Sequence, residues 1–119
     1  MANEEIPESR RGRVVKIRWK KEYPNATNHV CIGEIVRETN EYIAVLGVTY
    51  HFRKGSPQGY SRAFKVGKSL ERLRWIPWSA IALVTELSAE LDWRTIEVRP
   101  NEEGRLEVVD EAERFVVHP

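Results

Sequence analysis

The chain is poor in several features that define special classes of protein. Its 119 residues include one cysteine, Cys31, so no internal disulfide can form and a reducing compartment is expected. No apolar run approaches the ~20 residues that a membrane-spanning helix needs. The first residues, MANEEIPESRR, include acidic residues and lack the apolar segment of a secretory signal. We therefore expect a cytoplasmic protein that does not associate with membranes.

The chain also lacks a large net charge of either sign. It has 19 Lys and Arg against 18 Asp and Glu, and the resulting +1 argues by itself against a strongly basic nucleic-acid-binding protein. The charges are nevertheless separated along the chain. Residues 10–21 carry seven bases and no acid, residues 51–74 seven bases and one acid, and residues 86–119 ten acids and four bases. This distribution predicts either a functional basic face or ordinary solvated surface, with an acidic C-terminal third in both cases.

Three stretches alternate between apolar and polar residues with the period of two that is typical of β-strands. They cover residues 13–19, 29–38 and 42–52. Gly33 lies inside the second stretch, where a glycine indicates a bend or a close approach of another backbone. The third stretch is apolar on both faces, which predicts a long central strand.

The second half of the chain alternates between breaks and short strands. Residues 54–74 contain several glycines, a proline and many cations, and are predicted to form a long basic loop. Strands are expected at 74–78 and 81–87, and Pro77 in the first predicts an edge strand, a bulge or pairing on one side only. Further on, residues 95–99 and 105–109 are predicted to form a hairpin, and residues 112–117 a last strand or a docking segment.

Short connections, a glycine in the second strand and a two-residue step before the fifth predict a mainly β fold. The expected architecture is a small, strongly bent five-stranded barrel with an additional C-terminal β-hairpin. In this interpretation residues 1–12 are a flexible N-terminal segment and residues 13–87 form the barrel with the basic loop 54–74. Residues 88–119 form an acidic hairpin extension.

Two segments carry a resemblance to a known family. They are GEIVRETNEYIAVLGV at residues 33–48 and IPWSAIALVTEL at residues 76–87. Together with RVVKIRW they resemble the Sm-like family, which includes the bacterial Hfq proteins, over about residues 13–87. The strand-bending glycine, the aliphatic residue two positions later and the polar turn of that family have counterparts here in Gly33, Ile35 and Asn40. Other SH3-like barrels share these degenerate patterns and remain an alternative.

The resemblance implies a five-stranded barrel that assembles into a ring by pairing edge strands, with RNA bound at the pore. It places Asn40 where the family has an aspartate and Tyr42 at the position that stacks on a base. Two positions depart from the family pattern. Ile43 replaces the base-contacting asparagine, and Ser79-Ala80 replaces an Arg-Gly or Lys-His pair.

The second basic stretch mixes aromatic residues with cations, a combination that suits single-stranded nucleic acid because cations neutralise phosphates and rings stack on bases. The candidate nucleic-acid-binding residues are Asn40, Tyr42, Arg53, Lys54, Arg62, Lys65 and Lys68. The alternative is that Tyr50, Phe52 and Phe64 belong to the core while the cations solvate a loop.

No arrangement of residues predicts catalysis, a cofactor or a metal. Gly67-Lys68-Ser69 matches the end of a phosphate-binding loop, but its first glycine would stand at position 62, which is Arg62. His29 and Cys31 are two potential ligands without a second pair, so they predict no zinc site, and Cys31 is expected to be a small buried apolar residue. Two hypotheses follow: a non-enzymatic Sm-like homo-oligomer that binds RNA or single-stranded nucleic acid, and an oligomeric interaction barrel that binds none.

Overall fold

A computed structural model of the chain describes residues 9–21, 28–53, 65–100, 106–109 and 114–118. The regular elements in these ranges are nine strands and one 3₁₀ turn, so the prediction of a mainly β fold is confirmed. The strands are β1 (Val14–Trp19), β2 (Asn28–Glu38), β3 (Tyr42–Arg53), β4 (Lys65–Lys68), β5 (Arg72–Pro77), β6 (Ile81–Glu86), β7 (Glu97–Pro100), β8 (Leu106–Val109) and β9 (Arg114–His118). The 3₁₀ turn, Trp78–Ala80, joins β5 to β6.

Six strands form one antiparallel sheet in the order β4-β3-β2-β1-β6, and β5 also pairs with β3. β4 pairs with residues 50–53 of β3, and β5 pairs with residues 42–47. Within the described residues, β5 pairs on one side only. This is one of the three alternatives that Pro77 predicts. β5 and β6 do not pair with each other within the described residues, so the sheet is open and the predicted barrel is not confirmed. The strands β7, β8 and β9 form a second, three-stranded antiparallel sheet.

A pair of glycines lets β2 and β3 approach each other closely. Gly33 stands directly opposite Gly47 in the register of the two strands. A Cβ atom at Gly33 would collide with the carbonyl group of Leu46 and lie 2.5 Å from the Cα atom of Gly47. A Cβ atom at Gly47 would lie 2.6 Å from the carbonyl oxygen of Ile32. The glycine expected to mark a bend or a close approach therefore marks a close approach.

One face of the sheet, called the inner face here, carries a hydrophobic core built from β1, β2, β3, β5 and β6. Its buried members are Val15, Ile17, Cys31, Ile35, Ile43, Val45, Ile76 and Ile81, with Trp19 and Trp78 packed against them. Ile76 belongs to β5 and Ile81 to β6, so strands from both sides of the open sheet contribute to one core. The alternation that predicts the strands also sends these residues to a common face.

The opposite face is covered by residues 87–96, called the strap here. Leu87, Leu91, Trp93 and Ile96 pack on the second core, whose sheet members are Val14, Val30, Ile32, Val48 and Tyr50. The Leu87 N–H donates to the carbonyl oxygen of Val14 (2.8 Å), and Arg94 pairs with Glu71 (2.7 Å). Residues 88–96 thus share a core with the sheet, and the extension predicted to begin at residue 88 is not separate from it there.

Two predicted segment boundaries are wrong within the described residues. The expected loop 54–74 contains β4 and the first residues of β5, because these residues pair with β3; residues 54–64 lie outside the described ranges. The expected flexible segment 1–12 is fixed on β2 over residues 9–12, where the Gly12 N–H donates to the carbonyl oxygen of Ile35 (2.8 Å). Residues 1–8 lie outside the described ranges.

The same N-terminal stretch is held by a partly buried ion pair. The Glu38 side chain is 2% exposed, and its Oε2 atom lies 2.6 Å from a guanidinium nitrogen of Arg10. Its Oε1 atom accepts from the backbone N–H and the Nε–H of Arg10 at 3.0 and 3.1 Å. These hydrogen bonds lower the pKa of Glu38 more than burial raises it.

Glu38→Gln is expected to lower the free energy of unfolding near pH 7 by about 1–3 kcal/mol, because it weakens a buried charged hydrogen bond. Since the pKa of Glu38 is lower in the folded than in the unfolded chain, its stabilisation is complete above the unfolded value and disappears as the pH falls through the folded value. Urea titrations at several pH values should therefore show a smaller loss of stability on acidification in the variant. Glu41→Gln, on the exposed turn nearby, should cost less than about 0.5 kcal/mol at pH 7. Equal acid sensitivity of wild type and Glu38→Gln would contradict the assignment.

Candidate nucleic-acid interface

The structure separates the predicted nucleic-acid-binding residues into two groups at opposite ends of β3. Asn40 and Tyr42 lie at the turn where β3 begins, whereas Arg53, at the end of β3, lies beside Lys65 of β4, and Lys68 ends β4. Lys54 and Arg62 lie outside the described residues. Arg53 stands eleven positions after Tyr42 along one extended strand, roughly 35 Å away. The described candidates therefore do not form one site within a single chain.

At the first end, the turn between β2 and β3 is fixed by the buried Thr39. Its hydroxyl oxygen accepts from the backbone N–H groups of Glu41 and Tyr42, both at 3.1 Å. The Trp78 indole N–H donates to the carbonyl oxygen of Thr39 at 2.8 Å, which ties the 3₁₀ turn to the same loop. Asn40 is exposed at the tip of this rigid turn.

Tyr42 is in ring contact with an exposed tryptophan. The ring centroids of Tyr42 and Trp75 are 5.1 Å apart and the planes are inclined by 38°. Trp75 is 60% exposed, although it lies in the middle of β5. An exposed ring in contact with a half-buried one, beside a rigid turn, suits either a stacked base or the apolar surface of another protein chain.

At the second end, cations occupy directly opposed positions. Arg53 of β3 pairs in register with Lys65 of β4, and Tyr50 pairs with Lys68. Like charges directly opposite each other destabilise a sheet, whereas a bound anion reverses that effect. The ammonium group of Lys68, which is exposed, lies 6.0 Å from the centre of the Tyr50 ring.

On the face that the strap covers, cationic residues are found at this end of the sheet on β1 as well as on β4. Arg18 pairs with Val30, Val30 with Tyr50, and Tyr50 with Lys68, so Arg18 and Lys68 lie at the two ends of one row across four strands. Lys16 lies two residues before Arg18 on the same face, and burial together with the Arg18 charge lowers its pKa. The sequence places Arg18 and Lys16 in a basic stretch, but only the register shows that they share a face with Lys68. We call Arg53, Lys65, Lys68, Arg18 and Lys16 the basic end.

On the inner face, three rings from neighbouring strands form a second row at this end. His29 of β2 stands directly opposite His51 of β3, with ring centroids 5.7 Å apart. Trp19 of β1 meets the His29 ring edge to face at 6.3 Å. Both histidines are exposed, and partial desolvation together with His51 lowers the pKa of His29. The sequence pairs His29 with Cys31 as possible ligands, whereas the structure brings it to His51.

Tyr50 and Cys31 belong to the two hydrophobic cores. Tyr50 is buried, and burial raises its pKa to about 12, so its alternative role as a core residue is confirmed. Cys31 is buried as expected, and burial raises the pKa of its thiol to about 11. Within the described residues, no group of three or more His, Cys, Asp or Glu side chains could hold a metal ion.

In the six-stranded sheet, the outer edges of β4, β5 and β6 have no partner within the described residues. Exposed apolar side chains lie on two of these strands, β5 and β6. Leu73 (48% exposed) and Trp75 belong to β5, and Leu83 (47% exposed) belongs to β6. Exposed apolar residues on unpaired strands are typical of surfaces that contact another chain.

Among the described residues, no helix is long and apolar enough to cross a bilayer. Comparison of the chain with protein-family models, with curated proteins and with solved structures found no match.

Proposed function

We propose that the chain is a non-enzymatic, oligomeric protein of the Sm-like type that binds RNA or another single-stranded nucleic acid. Its copies join edge to edge through β5 and β6, and its basic end contacts the phosphates. The observation that carries the proposal is the pair of unpartnered strand edges, both with exposed apolar side chains, on the two sides of one sheet.

The strand arrangement supports the Sm-like part of the proposal. The strands β1, β2, β3, β5 and β6 occupy the sequence positions expected for a five-stranded barrel, and a short 3₁₀ turn joins the last two. They follow the order β5-β3-β2-β1-β6, so the two ends of the five-strand path are neighbours in sequence. The inner-face core, which contains Ile76 of β5 and Ile81 of β6, favours a bent sheet of this kind.

The edges of β5 and β6 support assembly. An unpaired edge presents a row of N–H and C=O groups that pair readily with another strand unless charges, proline or a covering segment prevent it. β5 carries Arg72, Arg74 and Pro77. It also carries the exposed Leu73 and Trp75, and β6 carries the exposed Leu83. When the β5 edge of one copy meets the β6 edge of the next, the contact joins different surfaces, and such contacts close into rings when the rotation allows.

The opposed cations support an anionic partner. Arg53 and Lys65 are paired in register across β3 and β4, and Lys68 and Arg18 lie at the two ends of one row across four strands. A nucleic acid backbone neutralises this concentration of charge. Asn40 and Tyr42 are proposed as a second, base-contacting region, as the Sm-like resemblance implies.

The edge contact is tested by placing a charge on it. Leu73→Asp or Leu83→Asp is expected to shift the protein from an oligomer towards the monomer, because a carboxylate must lose its hydration when the edge is covered. Leu70→Asp is the matched control, since Leu70 is 72% exposed but lies in the connection between β4 and β5. Sedimentation velocity of the folded variants measures the change.

The proposal is wrong about the edges if Leu73→Asp, Leu83→Asp and the wild type sediment as the same species. An oligomer that dissociates as expected but has no affinity for RNA at moderate salt would instead support the alternative, an interaction barrel without nucleic acid. The two parts of the proposal can thus fail separately.

A further inference from the structure

We propose that the row of Trp19, His29 and His51 is a base-stacking surface for single-stranded nucleic acid. This inference rests on the proposed function and assigns to it a surface that is distinct from Asn40 and Tyr42. The row lies at the basic end of the sheet, on the inner face and therefore away from the strap.

The three rings are held by three neighbouring strands. His29 and His51 are a directly opposed antiparallel pair, and side chains in such pairs stand on the same face of the sheet. Their centroids lie 5.7 Å apart, and Trp19 supports His29 from the other side at 6.3 Å. Because rings on strands are positioned more precisely than rings on loops, the row is ordered before a ligand arrives.

The row is also open to a ligand. Both histidine side chains are exposed. On its far side, His51 is paired in register with Gly67 of β4, a residue without a side chain that could cover the ring. A flat group can therefore approach the row from solvent, next to His51.

Two cationic residues occupy the next register position of β3 and β4. Arg53 lies two residues after His51 and is paired in register with Lys65, which lies two residues before Gly67. The exposed rings and a pair of cationic residues therefore lie at the same end of the sheet. A single-stranded nucleic acid complements this surface, because its unpaired bases stack on Trp and His rings and its phosphates contact cations.

The surface is tested with two ligands that differ only in their bases. Binding of a short oligouridine RNA and of an abasic ribose–phosphate strand of equal length is measured by fluorescence anisotropy at about pH 8, above the ordinary pKa of histidine. His29→Ala and His51→Ala are each expected to weaken RNA binding roughly tenfold. Both variants should leave the affinity for the abasic strand and the salt dependence of RNA binding unchanged.

Two further variants make the test specific. His51→Tyr keeps a ring at the centre of the surface and is expected to retain RNA binding. The matched control is His118→Ala, since His118 is the third histidine of the chain and lies on β9. It should leave the binding of both strands unchanged.

The outcomes separate this inference from the proposed function. If the wild type binds neither strand, the proposed function fails. If the wild type binds RNA and the histidine variants bind it equally well, or lose RNA and the abasic strand to the same extent, the stacking surface is wrong while phosphate binding stands.

Discussion

Replacing Gly33 with alanine is expected to lower the free energy of unfolding by about 3 kcal/mol, a large part of the stability of a small domain. The added methyl group would meet the Leu46 carbonyl group and the Cα atom of Gly47, which are backbone atoms of a central strand. Backbone of this kind cannot rotate away as a flexible side chain can, so β2 and β3 must separate. Urea denaturation of both proteins measures the loss.

Two glycine variants serve as comparisons. Gly47→Ala should cost about as much as Gly33→Ala, because its Cβ atom would lie 2.6 Å from the Ile32 carbonyl oxygen. Gly12→Ala meets nothing within 4 Å but requires a φ of +87°, which costs an L-residue about 1–2 kcal/mol. If Gly33→Ala proves no more costly than Gly12→Ala, the close approach of β2 and β3 does not determine the stability of the sheet.

The double variant Arg53→Gln, Lys65→Gln is expected to weaken RNA binding about 10- to 100-fold at moderate salt. If each residue contacts one phosphate, the slope of log affinity against log salt concentration should fall by about 1.4, since single strands lose about 0.7 per contact. The same variant removes two directly opposed charges and should raise the free energy of unfolding by about 0.5 kcal/mol. A loss of binding together with a gain of stability cannot result from misfolding.

The control for this variant removes two other cations. Arg11 and Arg13 lie before the start of β1, next to residues that pair with the far end of β2. Arg11→Gln, Arg13→Gln changes the net charge by the same amount and should reduce binding much less. Equal losses in the two double variants would mean that the net charge of the protein, rather than the basic end, attracts the nucleic acid.

Local patterns were sufficient to predict the sheet strands whose apolar residues alternate. β1, β2, β3 and β6 lie close to their expected positions because residues such as Val15, Ile17 and Val45 must reach one face with a period of two. Gly33 predicted a bend or a close approach of another backbone, and the structure shows the close approach. β4 was missed because its residues, KVGK, have little apolar content, and only pairing with β3 makes them a strand.

Contacts between distant residues could not be predicted from local patterns. The strap residues Leu87, Leu91 and Trp93 follow no single helical or strand period, and they share a core with strands that are distant in the sequence. Arg10 and Glu38 are 28 residues apart and meet only after folding. The candidate site shows the same limit. Its residues were visible in the sequence, but the separation of Asn40 and Tyr42 from the cations at the other end of β3 depends on the length of that strand.

The central claim is that copies of this chain join through the β5 and β6 edges and bind single-stranded nucleic acid. The most direct test is light scattering of the purified full chain, combined with its ultraviolet absorbance. The account predicts a mass that is a multiple of the 13.9 kDa of one chain, with added RNA eluting together with the oligomer. A single species of one-chain mass at micromolar concentration, without affinity for RNA, would contradict it.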